Sequence, residues 1–263
     1  MSVMLLRLWI MWLLIVPGLV AAGPWPRGVG TAFVSTATEV YEAEDGELSQ
    51  YSSLYGEYGL TPKLSLGGKF SRGTEAGLEA QVHLGIGLLQ RGPHALSVEL
   101  SYTHRQFEYR ETVTARRFFA PEFEGQEVIF EGFNPDEERI TTRAEEAETQ
   151  HFGIGLAYGR GFSLGDRSGW ATLEASWHGP LEGSHEVAAP EIKVDGTLGL
   201  SFEGGWKAMM QVFTMRIEDE TFVTYAPSVV IPMFEDSHVA IGLRILADTP
   251  EQSSLALGLW RDF

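Results

Sequence analysis

The chain contains no cysteine. That removes disulfide staples, thiolate nucleophiles and cysteine-ligated zinc from consideration. Positive charge is scarce: 19 Lys and Arg stand against 36 Asp and Glu, a net charge of −17. Phosphate backbones are bound by clustered Lys and Arg, so no nucleic-acid partner is expected. Beyond Ala22 no apolar run approaches the ~20 residues that a transmembrane helix needs. No stretch from residue 23 onward carries a helical period either. What the chain has in quantity is glycine, 30 residues, many inside runs of β-prone residues, where they suit a curved sheet better than a helix.

The beginning of the sequence reads as a signal peptide over residues 1–22. Arg7 supplies the positive charge, Leu8–Val16 the apolar core, Pro17-Gly18 the break and Val20-Ala21-Ala22 the small residues before a cut. A membrane anchor is the alternative, but the uninterrupted apolar run is short for one. Residues 23–263 then form one domain.

The clearest pattern in that domain is Glu75–Leu88. Ala76, Leu78, Ala80, Val82, Leu84, Ile86 and Leu88 alternate with Glu75, Gly77, Glu79, Gln81, His83, Gly85 and Gly87. A period of two places these sets on opposite faces of a strand, one hydrocarbon and one polar. The pattern recurs at Lys63–Ser71, from Ala95, from His151, at Ala171–His178, at Ile192–Phe202 and at Ser254–Phe263. Counting the less regular segments gives about twelve strands. The first, Thr31–Tyr41, and the ninth, Trp206–Ile217, do not reveal their faces. Pro227 inside the tenth predicts a bulge or an irregular ladder.

The connections segregate by length. Alternate ones are tight, such as Thr61-Pro62, Arg91–His94 and Glu203–Gly205. The other set holds both long loops, an acidic one at about 114–148 and a second at 179–190. Even strand count, long loops at one end and short turns at the other are the signature of an all-β, membrane-spanning, up-and-down antiparallel barrel of the bacterial outer membrane, with long extracellular loops and short periplasmic turns. Such a sheet must close on itself, because lipid cannot satisfy free backbone N–H and C=O groups. Aromatic residues near strand ends, including Trp25, Tyr58, Phe70, Tyr102, Trp177, Trp206 and Phe263, fit interfacial girdles. A soluble β-sandwich is the competing fold, and it leaves the loop asymmetry unexplained.

The chain ends with Leu255, Leu257, Leu259 and Phe263 at alternate positions, with Arg261 where an apolar residue is more usual. This resembles the C-terminal signal of Gram-negative outer-membrane β-barrels, and the resemblance implies recognition by the barrel-assembly machinery. The hairpin from Glu57 to Gly67, with Tyr58-Gly59-Leu60-Thr61-Pro62 leading into Leu64-Ser65-Leu66, resembles outer-membrane proteins grouped as transporters of phenol-degradation meta-pathways. That resemblance implies a narrow solute channel.

On the barrel reading the polar faces line the lumen. Candidate pore-lining residues are Glu57, Lys69, Glu75, Glu79, His83, Glu99, Arg105, Glu174, Lys193, Asp195 and Arg244, with Lys63 a further polar-face position. Hairpin register is expected to bring Lys69 near Glu75 and Glu79 near Arg105, either as charge neutralisation or as a selectivity constriction. The expected role is passive passage of a small solute. Expected partners are that solute, outer-membrane lipid and lipopolysaccharide. No cofactor is called for. A closed barrel working through its long acidic loop is the alternative. A lipid-modifying enzyme is a third reading. It rests on His104, which has the parity of the lipid face, but no serine or acidic partner accompanies it in sequence, and no enzymatic activity is expected.

Overall fold

In the computed structural model, residues 24–42, 46, 48–73, 77–115, 139–182, 184, 189–250 and 253–263 are described. They form twelve strands: β1 (Ala32–Glu42), β2 (Leu48–Thr61), β3 (Leu64–Gly73), β4 (Gly77–Arg91), β5 (His94–Ala115), β6 (Arg139–Leu164), β7 (Arg167–Pro180), β8 (Glu191–Ser201), β9 (Lys207–Ile217), β10 (Glu220–Phe234), β11 (Ser237–Leu246) and β12 (Ser254–Asp262). Each pairs antiparallel with its neighbours in sequence, and β1 pairs with β12, from Phe33 opposite Asp262 to Val40 opposite Leu255. The sheet is therefore a closed barrel without an edge, in which every strand has a hydrogen-bonded neighbour on both sides.

The molecule is apolar outside and polar inside. Val82, Leu156, Leu173, Leu198 and Leu257 are each at least half exposed, whereas Ser65, His83, Ser101, Thr103, Thr172, His178 and Glu191 are buried. Hydrocarbon faces outward all round the wall, and this is the surface of a barrel that spans a bilayer. The chain is an outer-membrane β-barrel. Tyr58, Phe70, Trp177, Trp206 and Phe263 are exposed near strand ends, as girdle residues are, and Tyr102 is exposed within the longer β5.

Strand β4 follows the expected alternation over Gly77–Leu88, with one addition. The ladder to β5 shifts between Gly87 and Leu89, so Leu88 and Leu89 are both exposed. A bulge adds one residue to one strand, and the two consecutive leucines are its trace in the sequence. In β9 the sequence hid the faces because apolar residues also point inward. Met210 is exposed, whereas Gln211 bonds Thr197 and Phe213 lies under the Arg244 guanidinium. In β10 the register shift falls between Pro232 and Phe234. Pro227 sits in a regular ladder with β9, while the register with β11 omits Ala226 and Pro227. A proline without an N–H interrupts the ladder on one side only.

Two expectations need correction. The loop at 114–148 is shorter than expected: β5 runs to Ala115 and β6 begins at Arg139, paired as a hairpin that continues beyond the barrel. Ten or so residues of polar, β-prone sequence extend the ladder into water, where no hydrocarbon face is required. The acidic cluster between them, residues 116–138, lies outside the described residues, as do residues 1–22, expected to be a signal peptide, and Glu75. Lys63 does not face the lumen: it is exposed in the turn between β2 and β3.

Candidate functional site: the polar lumen

Three levels of polar structure fill the barrel. The first is a ladder of charges toward the long-loop end. Lys69 on β3 donates to Glu79 on β4 at 3.1 Å, and Arg105 on β5 donates to the other oxygen of Glu79 at 2.8 Å. Arg105 also holds Glu191 on β8 with two nitrogens, and Lys193 donates to Glu191 at 3.2 Å. Five charges thus alternate in sign, Lys69–Glu79–Arg105–Glu191–Lys193. β5 and β8 are separated by β6 and β7 in the sheet, so the Arg105–Glu191 pair is a chord through the interior. Glu191 is almost fully buried.

The second level is a polar cavity of about 340 Å³ inside the wall. Its lining includes Tyr55, Glu57, His83, Glu99, Glu174, His178 and Asp195. Tyr55 stacks on His83 with ring centroids 5.6 Å apart, although the two sit on non-adjacent strands. His178 bonds Ser176 at 3.0 Å. Asp195 accepts the Thr214 backbone N–H at 3.3 Å. Among the described residues neither Glu99 nor Glu174 forms an ion pair, so two carboxyl groups face the cavity without a cationic partner.

The third level lies at the short-turn end. Pro24, Trp25 and Pro26 line the base of the cavity. Arg27, 5% exposed, donates to Glu57 and to Asp262, each at 3.2 Å, and stacks on Phe33. A separate pair, Arg244 to Glu39 at 2.9 Å, reaches from β11 to β1 across β12, beside the closing seam.

The structure places Glu57, Lys69, Glu79, His83, Glu99, Arg105, Glu174, Lys193, Asp195 and Arg244 on the inward face. The register puts Arg105 directly opposite Glu79, and their side chains pair. Lys69 reaches Glu79; it lies across from Gln81, and Glu79 is the next inward position along β4. Trp25 is not a girdle residue. Its ring lies inside the barrel against Gly159, because the segment before β1 turns into the lumen. His104 is half-buried opposite Ala80 and Gln150, and among the described residues no hydrogen bond joins it to a serine or a carboxylate.

The sequence reading missed Arg27, Glu39, Tyr55 and Glu191. Glu39 was hidden because β1 carries Thr36 and Thr38 outward and Phe33 inward, which blurs its alternation. Glu191 sits at the first residue of β8, where it read as the end of a loop. Arg27 precedes every strand, and only its place between Pro26 and the first β-prone run hints at an ordered role.

No family model matches the chain, and no curated protein sequence matches it. Solved structures do. The chain is similar to the KdgM porin, with TM-score 0.56 and 7% identity over 88% of this chain and 99% of that one. The same porin in complex with disordered oligogalacturonate gives TM-score 0.55 at 6% identity, again over 88% and 99%. The NanC porin gives 0.53 at 8% identity, over 88% and 98%. At these identities the likeness establishes the fold, an outer-membrane β-barrel.

Proposed function

We propose that the protein is an outer-membrane channel for passive passage of a small, polar solute. The observation that carries this reading is the cavity of about 340 Å³ enclosed by the barrel wall and lined by Tyr55, Glu57, His83, Glu99 and Glu174. An interior built only to stabilise the sheet would be filled by side chains, as in eight-stranded barrels, and would leave no such cavity. Here it is hydrogen-bonding surface, of the kind that replaces a solute's hydration shell. The Lys69–Glu79–Arg105–Glu191–Lys193 ladder is the constriction that sets selectivity, and Glu57, Lys69, Glu75, Glu79, His83, Glu99, Arg105, Glu174, Lys193, Asp195 and Arg244 are the pore-lining set.

The porin likeness supports the channel reading through the fold. A polyanionic sugar partner, such as the oligogalacturonate found with the KdgM porin, fits this lumen poorly at the level of Glu99 and Glu174. A neutral or cationic small solute fits better. Lipid and lipopolysaccharide surround the barrel, and the terminal Leu255–Phe263 strand engages the assembly machinery. A second reading has its own observation: β5 and β6, at 22 and 26 residues, project well beyond the other strands. A hairpin of that length offers an outer surface for a partner.

The absence of cysteine makes the channel test clean. A Ser176→Cys barrel, reconstituted in liposomes, takes up small sugars as the unaltered chain does. Alkylation with a bulky maleimide then stops uptake in the variant and leaves the unaltered chain untouched. Uptake that continues at full rate in the alkylated variant refutes passage through the lumen.

A further inference from the structure

We infer that Pro24–Arg27 is a plug that narrows the short-turn end of the lumen, latched by Arg27. Pro24 is fully buried and, with Trp25 and Pro26, forms the base of the cavity. The wall is cut to receive it. A Cβ at Gly159 would stand 2.5 Å from both the Pro24 ring and the Trp25 ring, and one at Gly87 would stand 2.5 Å from the Pro26 ring. Any residue larger than glycine at these two inward positions would push the segment out, since real Cβ atoms do not approach so closely. Gly87 and Gly159 lie on β4 and β6, on opposite sides of β5, so the segment leans on a broad section of wall.

The segment is stiff as well as fitted. Prolines at 24 and 26 fix φ on both sides of Trp25, so it enters the lumen with little chain entropy to lose. Arg27 then ties it down. Its Nε donates to Glu57 on β2 and its Nη1 to Asp262 on β12, which are the two neighbours of β1. The guanidinium lies 4.4 Å from the centroid of Phe33 on β1 itself. Three strands at the closing seam therefore converge on one side chain. Backbone bonds from Gly30 to Gly59 and from Thr31 to Gly28 fix the turn that follows. The latch forms only once β12 has met β1, so the plug is set by barrel closure. The turn end is the periplasmic end in barrels of this kind, so the plug guards the periplasmic mouth. Its effect on flux presupposes that the lumen conducts.

The test is single-channel recording of three chains in planar bilayers: the full chain, a deletion of residues 24–26, and Arg27→Ala. Each is first checked for folding by the heat-dependent gel mobility of barrels. The deletion is expected to raise conductance several-fold, and Arg27→Ala to give flickering between the low and high levels. Equal, non-zero conductances of the full chain and the deletion overturn the plug and leave the channel standing. Silence from both overturns the channel and the plug with it. An Arg27→Ala trace identical to that of the full chain, beside an opened deletion, overturns the latch. The seat itself is tested without conductance. In the cysteine-free background, a cysteine at the fully buried position 24 (Pro24→Cys) is expected to resist a maleimide in the folded barrel and to react once Gly159→Leu fills the seat, and equal labelling with and without Gly159→Leu overturns the placement of the plug.

Discussion

Replacing Arg105 with alanine cuts the charge ladder at its centre. The side chain makes one bond to Glu79, at 2.8 Å, and two to Glu191. Charge-assisted bonds in a site this sheltered contribute about 1.5–3 kcal/mol each, and orphaning a buried charge costs about 3–5 kcal/mol. The full penalty is not expected here, because neither carboxylate is orphaned: Glu79 keeps Lys69 and Glu191 keeps Lys193. Arg105 and Glu79 also retain some contact with solvent, which screens their attraction. A loss of about 2–3 kcal/mol follows from these opposing considerations. Urea titration of the barrel refolded into phospholipid vesicles, read by tryptophan fluorescence, measures it. Combining Arg105→Ala with Glu191→Gln should show a coupling of about 1–2 kcal/mol, as for side chains in direct contact. Strict additivity, or a single-variant cost below about 0.5 kcal/mol, would refute the chord as a stabilising element. The same variant removes one positive charge from the lumen, so the zero-current potential in a KCl gradient should move toward the potassium equilibrium. A shift toward chloride would contradict the placement of Arg105 in the conducting path.

Other consequences follow from the wall itself. Val194 faces outward between Ala175 and Thr214, and Val194→Arg should destabilise the barrel in vesicles by about 1–4 kcal/mol, measured by the same titration. Gly67→Ala would place a Cβ against the His83 ring and displace it from Tyr55. The expected cost is about 1–3 kcal/mol, the usual penalty of overpacking, and His83→Ala in the same chain should relieve most of it.

The fold was largely legible in the sequence because the physics that selects it is periodic. Lipid on one side and water on the other force an alternation of two, and Val82, Leu84 and Ile86 display it without interruption. The segregation of long loops from short turns added the topology. What escaped reading was what does not repeat. β9 broke the pattern because Phe213 and Met215 point into the barrel, where Arg244 rather than another hydrocarbon covers the Phe213 ring. Lys69 was matched to Glu75, outside the described residues, by counting from the turn; the lysine reaches Glu79, two residues from the Gln81 it faces. The Arg105–Glu191 chord joins residues 86 apart on strands that are not neighbours, and no local pattern encodes it. The plug segment carries only two prolines, a tryptophan and an arginine. Its meaning lies in the glycines that receive it, 60 and more residues downstream.

The central claim is that the polar interior is a path for solute. Single-channel recording in planar bilayers, over a wide voltage range and with both the full chain and the chain lacking residues 24–26, tests it most directly. Discrete conductance steps are predicted, larger in the shortened chain and shifted in ion preference by Arg105→Ala. A folded, heat-modifiable barrel that stays silent in both forms would contradict it.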